Sequence, residues 1–146
     1  MKAKLGYFAI VLLAAAMPVL AHHSFSAEFD SQRRVNLKGQ VTKVEWMNPH
    51  IWLYLDVKDE RGNVAHWQCE GGPPNTLTRN GWTKDNLKKG DDVTIDGTLS
   101  KDGKQTCNAT SVMLPDGRKV FAGSSGGDTA ATGAKYVPPT AVGEKQ

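Results

Sequence analysis

The stretch His50–Val57, HIWLYLDV, puts Ile51, Leu53, Leu55 and Val57 on one side and His50, Trp52, Tyr54 and Asp56 on the other. A strict period of two is the pattern of a β-strand with one buried face, because successive side chains of a strand point to opposite sides of the sheet. Such a strand demands partners on both edges and a second layer or a curled sheet over its apolar face. The chain around it supplies them. VNLKGQVTKVEW (Val35–Trp46) is a longer strand whose apolar set, Val35, Leu37 and Val41, changes phase to Val44 and Trp46 close to Gly39, which predicts a bend or bulge. DERGN turns the chain into VAHWQCE (Val64–Glu70), a hairpin partner.

After the breaker GGPPN, the segment Asn75–Gly81 predicts one short helix, with Asn75 as cap and Gly81 as stop. LKKGDDVTIDGTL enters a fourth strand with Val93, Ile95 and Leu99 in phase, and Thr106–Leu114 is a fifth. PDGRKVF adds a short edge piece. Three strands, a short helix and two strands, with the first strand long and kinked, is the layout of an all-β, five-stranded, OB-like Greek-key barrel. A small β-sandwich is the alternative. Closing the sheet removes exposed edges, which favours the barrel.

The flanks differ from this body. Lys2 and Lys4, an apolar run from Tyr7 to Ala16, Pro18 and the slim residues Val19-Leu20-Ala21 read as a secretory signal peptide over residues 1–21. The run is shorter than the roughly 20 residues of a transmembrane helix. The expected product is periplasmic, with no membrane attachment after cleavage behind Ala21. Losing Lys2 and Lys4, and no acid, lowers the formal charge from +3 to +1, so nucleic acid is not expected as a partner. The expected domain is residues 22–122. From residue 123 to 146 the chain is rich in Gly, Ala, Thr and Pro and reads as a flexible tail.

The segments AHHSFSAEFD, GQVTKVEWMNPHIWLYLDVKDERG, LTRNGWTKDNLKKGDDVTIDG and LPDGRKVF together resemble a bacterial family of small exported proteins classed as a domain of unknown function. The resemblance covers about His22 to Ala122. It implies an exported OB-like β domain and carries no activity, substrate or catalytic residue. Cys69 and Cys107 are not tied to that family's pattern.

Four histidines, His22, His23, His50 and His66, are the candidate metal ligands. A cut after Ala21 makes His22 the N-terminus, where its α-amine and ring Nδ1 can chelate one ion together. A further imidazole from His23, His50 or His66 would give an all-nitrogen tetragonal set suited to copper(II). His23 offers a second mode through the amine, the intervening amide and its own ring. The opposing reading makes the pair a solvated lead-in, His50 a turn residue and His66 a surface residue. No H-E-x-x-H and no Cys/His spacing for structural zinc is present.

His50, Trp52 and Tyr54 form a strip on the outer face of the second strand that suits stacking of a ring or sugar. Against this, Trp52 packs under the helix or the N-terminal segment. Cys69 and Cys107 are expected to pair in an oxidising compartment, closing a loop of about 40 residues. A thiolate metal or redox site is the alternative. No nucleophile elbow or phosphate loop is present, so binding is expected and catalysis is not. The function classes are therefore a copper-binding protein, or a metal-free module for a small ligand or a periplasmic protein, such as an accessory subunit of a redox enzyme.

Overall fold

The computed structural model describes residues 25–123 and the backbone of Lys135–Tyr136. A four-residue helix α1 (Phe25–Glu28) leads into β1 (Phe29–Glu45), followed by β2 (Trp52–Lys58) and β3 (Val64–Glu70). Helix α2 (Pro74–Arg79) precedes β4 (Asp92–Ser100), β5 (Thr106–Met113), β6 (Lys119–Phe121) and β7 (Lys135–Tyr136). The fold is mostly β, with the strands in one sheet.

Strand β2 buries the side its alternation assigns to the core: Ile51, Leu53, Leu55 and Val57 are all buried. It pairs antiparallel with β3 over seven residue pairs, from Trp52↔Glu70 to Lys58↔Val64. The connecting turn is held by Asp59, whose Oδ1 accepts from the backbone N–H groups of Arg61 and Asn63, both at 2.8 Å. The Asn63 side chain also donates to Asp59, and is the main reason the carboxyl is held below its ordinary pKa.

Strand β1 starts at Phe29, well before the first clear alternation at Val35. Its first part pairs with β4 (Val35↔Gly97, Leu37↔Ile95, Gly39↔Val93) and its last part with β2 (Gln40↔Asp56 to Glu45↔Trp52). The phase change anticipated near Gly39 comes from a bulge between Val41 and Lys43, which leaves Thr42 as the extra residue. Gly39 has a different task. A Cβ there would lie 2.6 Å from the Asp56 carbonyl oxygen, so only glycine lets β1 cross that close to β2.

The pairings run in a circuit: β1–β2, β2–β3, β3–β5, β5–β4 and β4–β1. All are antiparallel except β3–β5, a parallel junction of only three residue pairs: Gln68↔Thr106, Cys69↔Cys107 and Glu70↔Asn108. A disulfide joins Cys69 to Cys107 at the middle pair, with Cα atoms 4.5 Å apart. Strand β6 pairs with β5. Asp96 of β4 anchors it by accepting from Lys119 at 2.8 Å and from Ser111 of β5 at 3.1 Å.

Helix α2 differs from the expectation at its start. Pro74 occupies the first turn, where its missing N–H costs nothing, and Pro73 is the cap residue without a side-chain cap bond. Asn75 instead accepts from the Thr76 N–H. The stop at Gly81 has the expected left-handed backbone (φ 88°). Gly81 N–H donates to Thr78 O and Trp82 N–H to Leu77 O, the bond pair of a Schellman motif. That motif swings Trp82 back over Leu77, so both are buried, and stacks Trp82 on Trp46 with ring centroids 6.1 Å apart.

Within the stretch read as a tail, Lys135–Tyr136 form β7, which lies parallel to Arg33–Arg34 of β1. Nothing in the hydropathy of that segment announces a strand.

Candidate functional site

The outer face of β2 carries Trp52, Tyr54 and Asp56, each opposite a polar residue of β3 (Glu70, Gln68 and His66), and His50 lies two residues before the strand. His50 follows the cis Asn48–Pro49 bond and precedes the buried Ile51. Ile51 is pinned by its own N–H to Gly72 O and by Gly71 N–H to Ile51 O. Gly71 must be glycine for this, since a Cβ would sit 2.6 Å from Ile51 Cγ1. So fixed, the half-buried His50 ring hydrogen-bonds through Nδ1 to the Glu70 carboxylate of β3. Its Nε2 is the ring nitrogen left for another partner.

Tyr54 is oriented from two directions. Its hydroxyl donates to Glu45 Oε2 at 2.9 Å, and the Lys43 ammonium stands 5.2 Å from the ring centroid. Lys43 also pairs with Glu45. Burial, then the bond to Glu45, raises the Tyr54 pKa. The Lys43 hydrogen bond, then that of Tyr54, holds Glu45 below its ordinary value. At the far end of β2, Asp56 accepts from His66 Nδ1 at 2.7 Å, with the His66 ring largely in solvent.

The two described histidines therefore do not share a site. His50 lies next to the Glu70 end of the β2–β3 ladder and His66 opposite Asp56. Four residues of strand at about 3.3 Å each separate these ends by roughly 13 Å. Among the described residues no group of three or more His, Cys, Asp or Glu side chains is placed to hold a metal. His22 and His23 lie outside the described residues.

The strip of His50, Trp52 and Tyr54 is also divided. A cleft of ≈340 Å³ includes Tyr54 and Asp56 of β2, His66 and Gln68 of β3, Thr42 of the bulge, and Lys104, Gln105 and Thr106 on the β5 side. It straddles the parallel junction, where Gln68 Nε2 donates to Thr106 Oγ1 at 3.1 Å and Gln68 N–H to Gln105 O. Trp52 belongs to a second cleft of ≈510 Å³, bordered by Ala27, Glu28 and Phe29 and by the turn Ser100–Asp102. That placement agrees with packing of Trp52 near the N-terminal segment. Thr106 touches both clefts. His50 lines neither.

The turn between β4 and β5 forms one rim of both clefts. Asp102 organises it by accepting from Ser100 Oγ at 2.6 Å and from the Lys104 N–H at 3.0 Å. These bonds, the Ser100 hydroxyl first, hold its carboxyl at about 2, so the rim keeps its anionic anchor throughout the ordinary pH range.

Thr42, Gln68, Gln105 and Thr106 escaped the sequence reading. Thr42 had one signal, the phase change that its bulge produces. The others gave none, because they meet only through a junction between strands far apart in the chain.

The fold and its clefts define a small β-rich protein with solvent-facing hollows of mixed polar and apolar lining. The chain belongs to a family of unknown function, DUF6152, whose model matches residues 10–109. The match takes in His22, His23, His50 and His66, both cysteines and all of β1 to β4. No curated protein and no solved structure matches the chain.

Proposed function

We propose that the chain is an exported, periplasmic binding module that takes a small, ring-bearing polar molecule, with sugars as the first class to try, in the cleft beside Tyr54. The supporting fold reading is a five-stranded OB-type Greek-key barrel. In its favour are the circuit of pairings and the short helix between β3 and β4. In such barrels the face of strands two and three and the loop between strands four and five form the usual ligand surface. The observation that carries the reading is the ≈340 Å³ cleft on that same surface. Its volume lies at the lower end of small-molecule sites. An aromatic ring fixed by Glu45 and Lys43 stands beside an amide, hydroxyls and the Asp56–His66 pair, a mixture of donors and acceptors suited to hydroxyl-rich ligands. Binding by geometry, without catalysis, is the expected activity.

The test is amide chemical-shift titration with a panel of mono- and disaccharides. Shifts are expected to concentrate at Tyr54, Gln68 and Thr106. Tyr54→Ala and Gln68→Ala should each weaken binding by about tenfold, the scale of one lost stacking or hydrogen-bond contact. A panel that moves none of these amides at tens of millimolar would remove the sugar reading.

A second reading, copper binding, is favoured by His50. Metal-ligating histidines commonly rest their second ring nitrogen on a carboxylate, as His50 does on Glu70. Cleavage after Ala21 would supply the His22 amine and ring. Residues 22–24 span at most about 10 Å. They lead into α1, whose Ala27 and Glu28 border the same cleft as Trp52, the cross-strand neighbour of Glu70. Copper(II) added to protein beginning at His22 should give an EPR spectrum of a nitrogen-rich tetragonal site. One extra N-terminal residue should change that spectrum, as should His50→Ala. Identical spectra from all three proteins would dismiss this site. A change with the extra residue but not with His50→Ala would transfer the role to His23 or His66.

A further inference from the structure

Arg34 has strand partners on both sides. It faces Thr98 of β4 across one edge and Tyr136 of β7 across the other. The second edge is the one that β2 occupies further along, from Gln40 to Glu45. Between Asp30 and Gly39, the only strand on that edge among the described residues is Lys135–Tyr136. Without it, the first half of β1 presents a row of unpaired backbone N–H and C=O groups, the usual template for joining another chain.

We infer that the edge of β1 between Asp30 and Gly39 is a strand-addition surface whose occupant is this chain's own C-terminal segment about Lys135–Tyr136, docked reversibly in cis. The contact is a ladder of two residue pairs. A few backbone hydrogen bonds contribute about 1 kcal/mol each, comparable to the cost of closing a connector of moderate length. Docked and released forms therefore both exist, which is what makes the surface usable. Residues 122–134 connect β6 to the docked pair and, at about 3.3 Å each, reach some 40 Å. A tether of that length gives the segment an effective concentration near millimolar, well above any second copy in dilute solution, so cis docking prevails.

In sequence, the contact is followed closely by Pro138 and Pro139, which have no N–H to donate to a ladder.

Hydrogen exchange of the full chain, read by NMR or by mass spectrometry of peptides covering residues 30–39, tests the inference. Amides near Arg33–Val35 should be protected in the unaltered chain. In the full chain carrying Lys135→Pro and Tyr136→Pro they should exchange about tenfold faster, while β2 and β4 keep their protection. A synthetic peptide of residues 131–140, added at millimolar concentration to this variant, should restore protection. Equal exchange in the two proteins would overturn the proposal. Protection in the unaltered chain that rises with protein concentration would also overturn it, since the occupant would then be the segment of a second copy.

Discussion

Reduction of the Cys69–Cys107 disulfide is expected to lower the unfolding free energy by about 2–5 kcal/mol, the largest single loss this molecule should show. The bridge spans 38 residues of chain, for which the chain-entropy relation gives about 4 kcal/mol. Its position adds to the effect. It stands at the middle of the three-pair junction between β3 and β5, the parallel contact of the circuit and its shortest. Both sulfur-bearing residues are fully buried, so reduction has to follow unfolding or be made before folding. Urea unfolding of oxidised protein, and of protein refolded with its thiols reduced, measures the difference without leaving the cavity that alanines would create. Coincident midpoints would show that hydrogen bonds and packing alone hold the junction. The double Cys69→Ala, Cys107→Ala variant should add a faster exchange of the Gln68 and Thr106 amides, because the cleft beside Tyr54 has one wall on each side of the junction.

Gly39→Val is expected to cost about 3 kcal/mol, at the upper end of ordinary overpacking effects. The added Cβ would meet the Asp56 carbonyl oxygen at 2.6 Å and Val57 Cγ2 at 3.0 Å. The first of these is backbone in the middle of the β2–β3 hairpin and cannot swing aside. Relief requires β1 to move away from β2 at the place where it passes from pairing with β4 alone to pairing with both. Gly39→Ala should already show much of the loss, while Lys38→Val, whose side chain is exposed, should be close to neutral. Thermal or urea unfolding of the three variants measures this. A Gly39→Ala protein within about 0.5 kcal/mol of the parent would mean that β1 has slack there.

Gly39 also marks where reading the sequence succeeds and where it stops. A phase change beside a glycine announces an irregular strand, and the irregularity exists. Two separate devices produce it, a close crossing at Gly39 and an extra residue at Thr42, and one-dimensional pattern merges them. The core side of β2 is legible for a plain reason: alternation is a local property, and burial follows it residue by residue. The same holds for the stop of α2, since a left-handed residue after a short helix all but demands glycine. Its start was misplaced at Asn75 because a polar cap and a proline first turn are competing ways to begin a helix, and the proline prevailed. The cleft was only half legible. Tyr54 stands out in its strand, but Gln68 and Thr106 are ordinary polar residues until a parallel pairing sets them side by side. Strand β7 is not legible at all, because its pairing is made by backbone atoms, which leave no mark in a residue sequence.

The ladder between β1 and β4 has a kinetic consequence. Asn36 bonds to Asp96 across sixty residues of chain, and the neighbouring pairs are as distant. Contacts of such long range demand loop closure before they give anything back, and proteins dominated by them fold in milliseconds to seconds. Before β4 pairs with it, β1 has only its final residues, from Gln40 on, to engage with β2. Its first half waits on contacts some sixty residues away, so refolding of this sheet is expected to be slow, which stopped-flow refolding would measure.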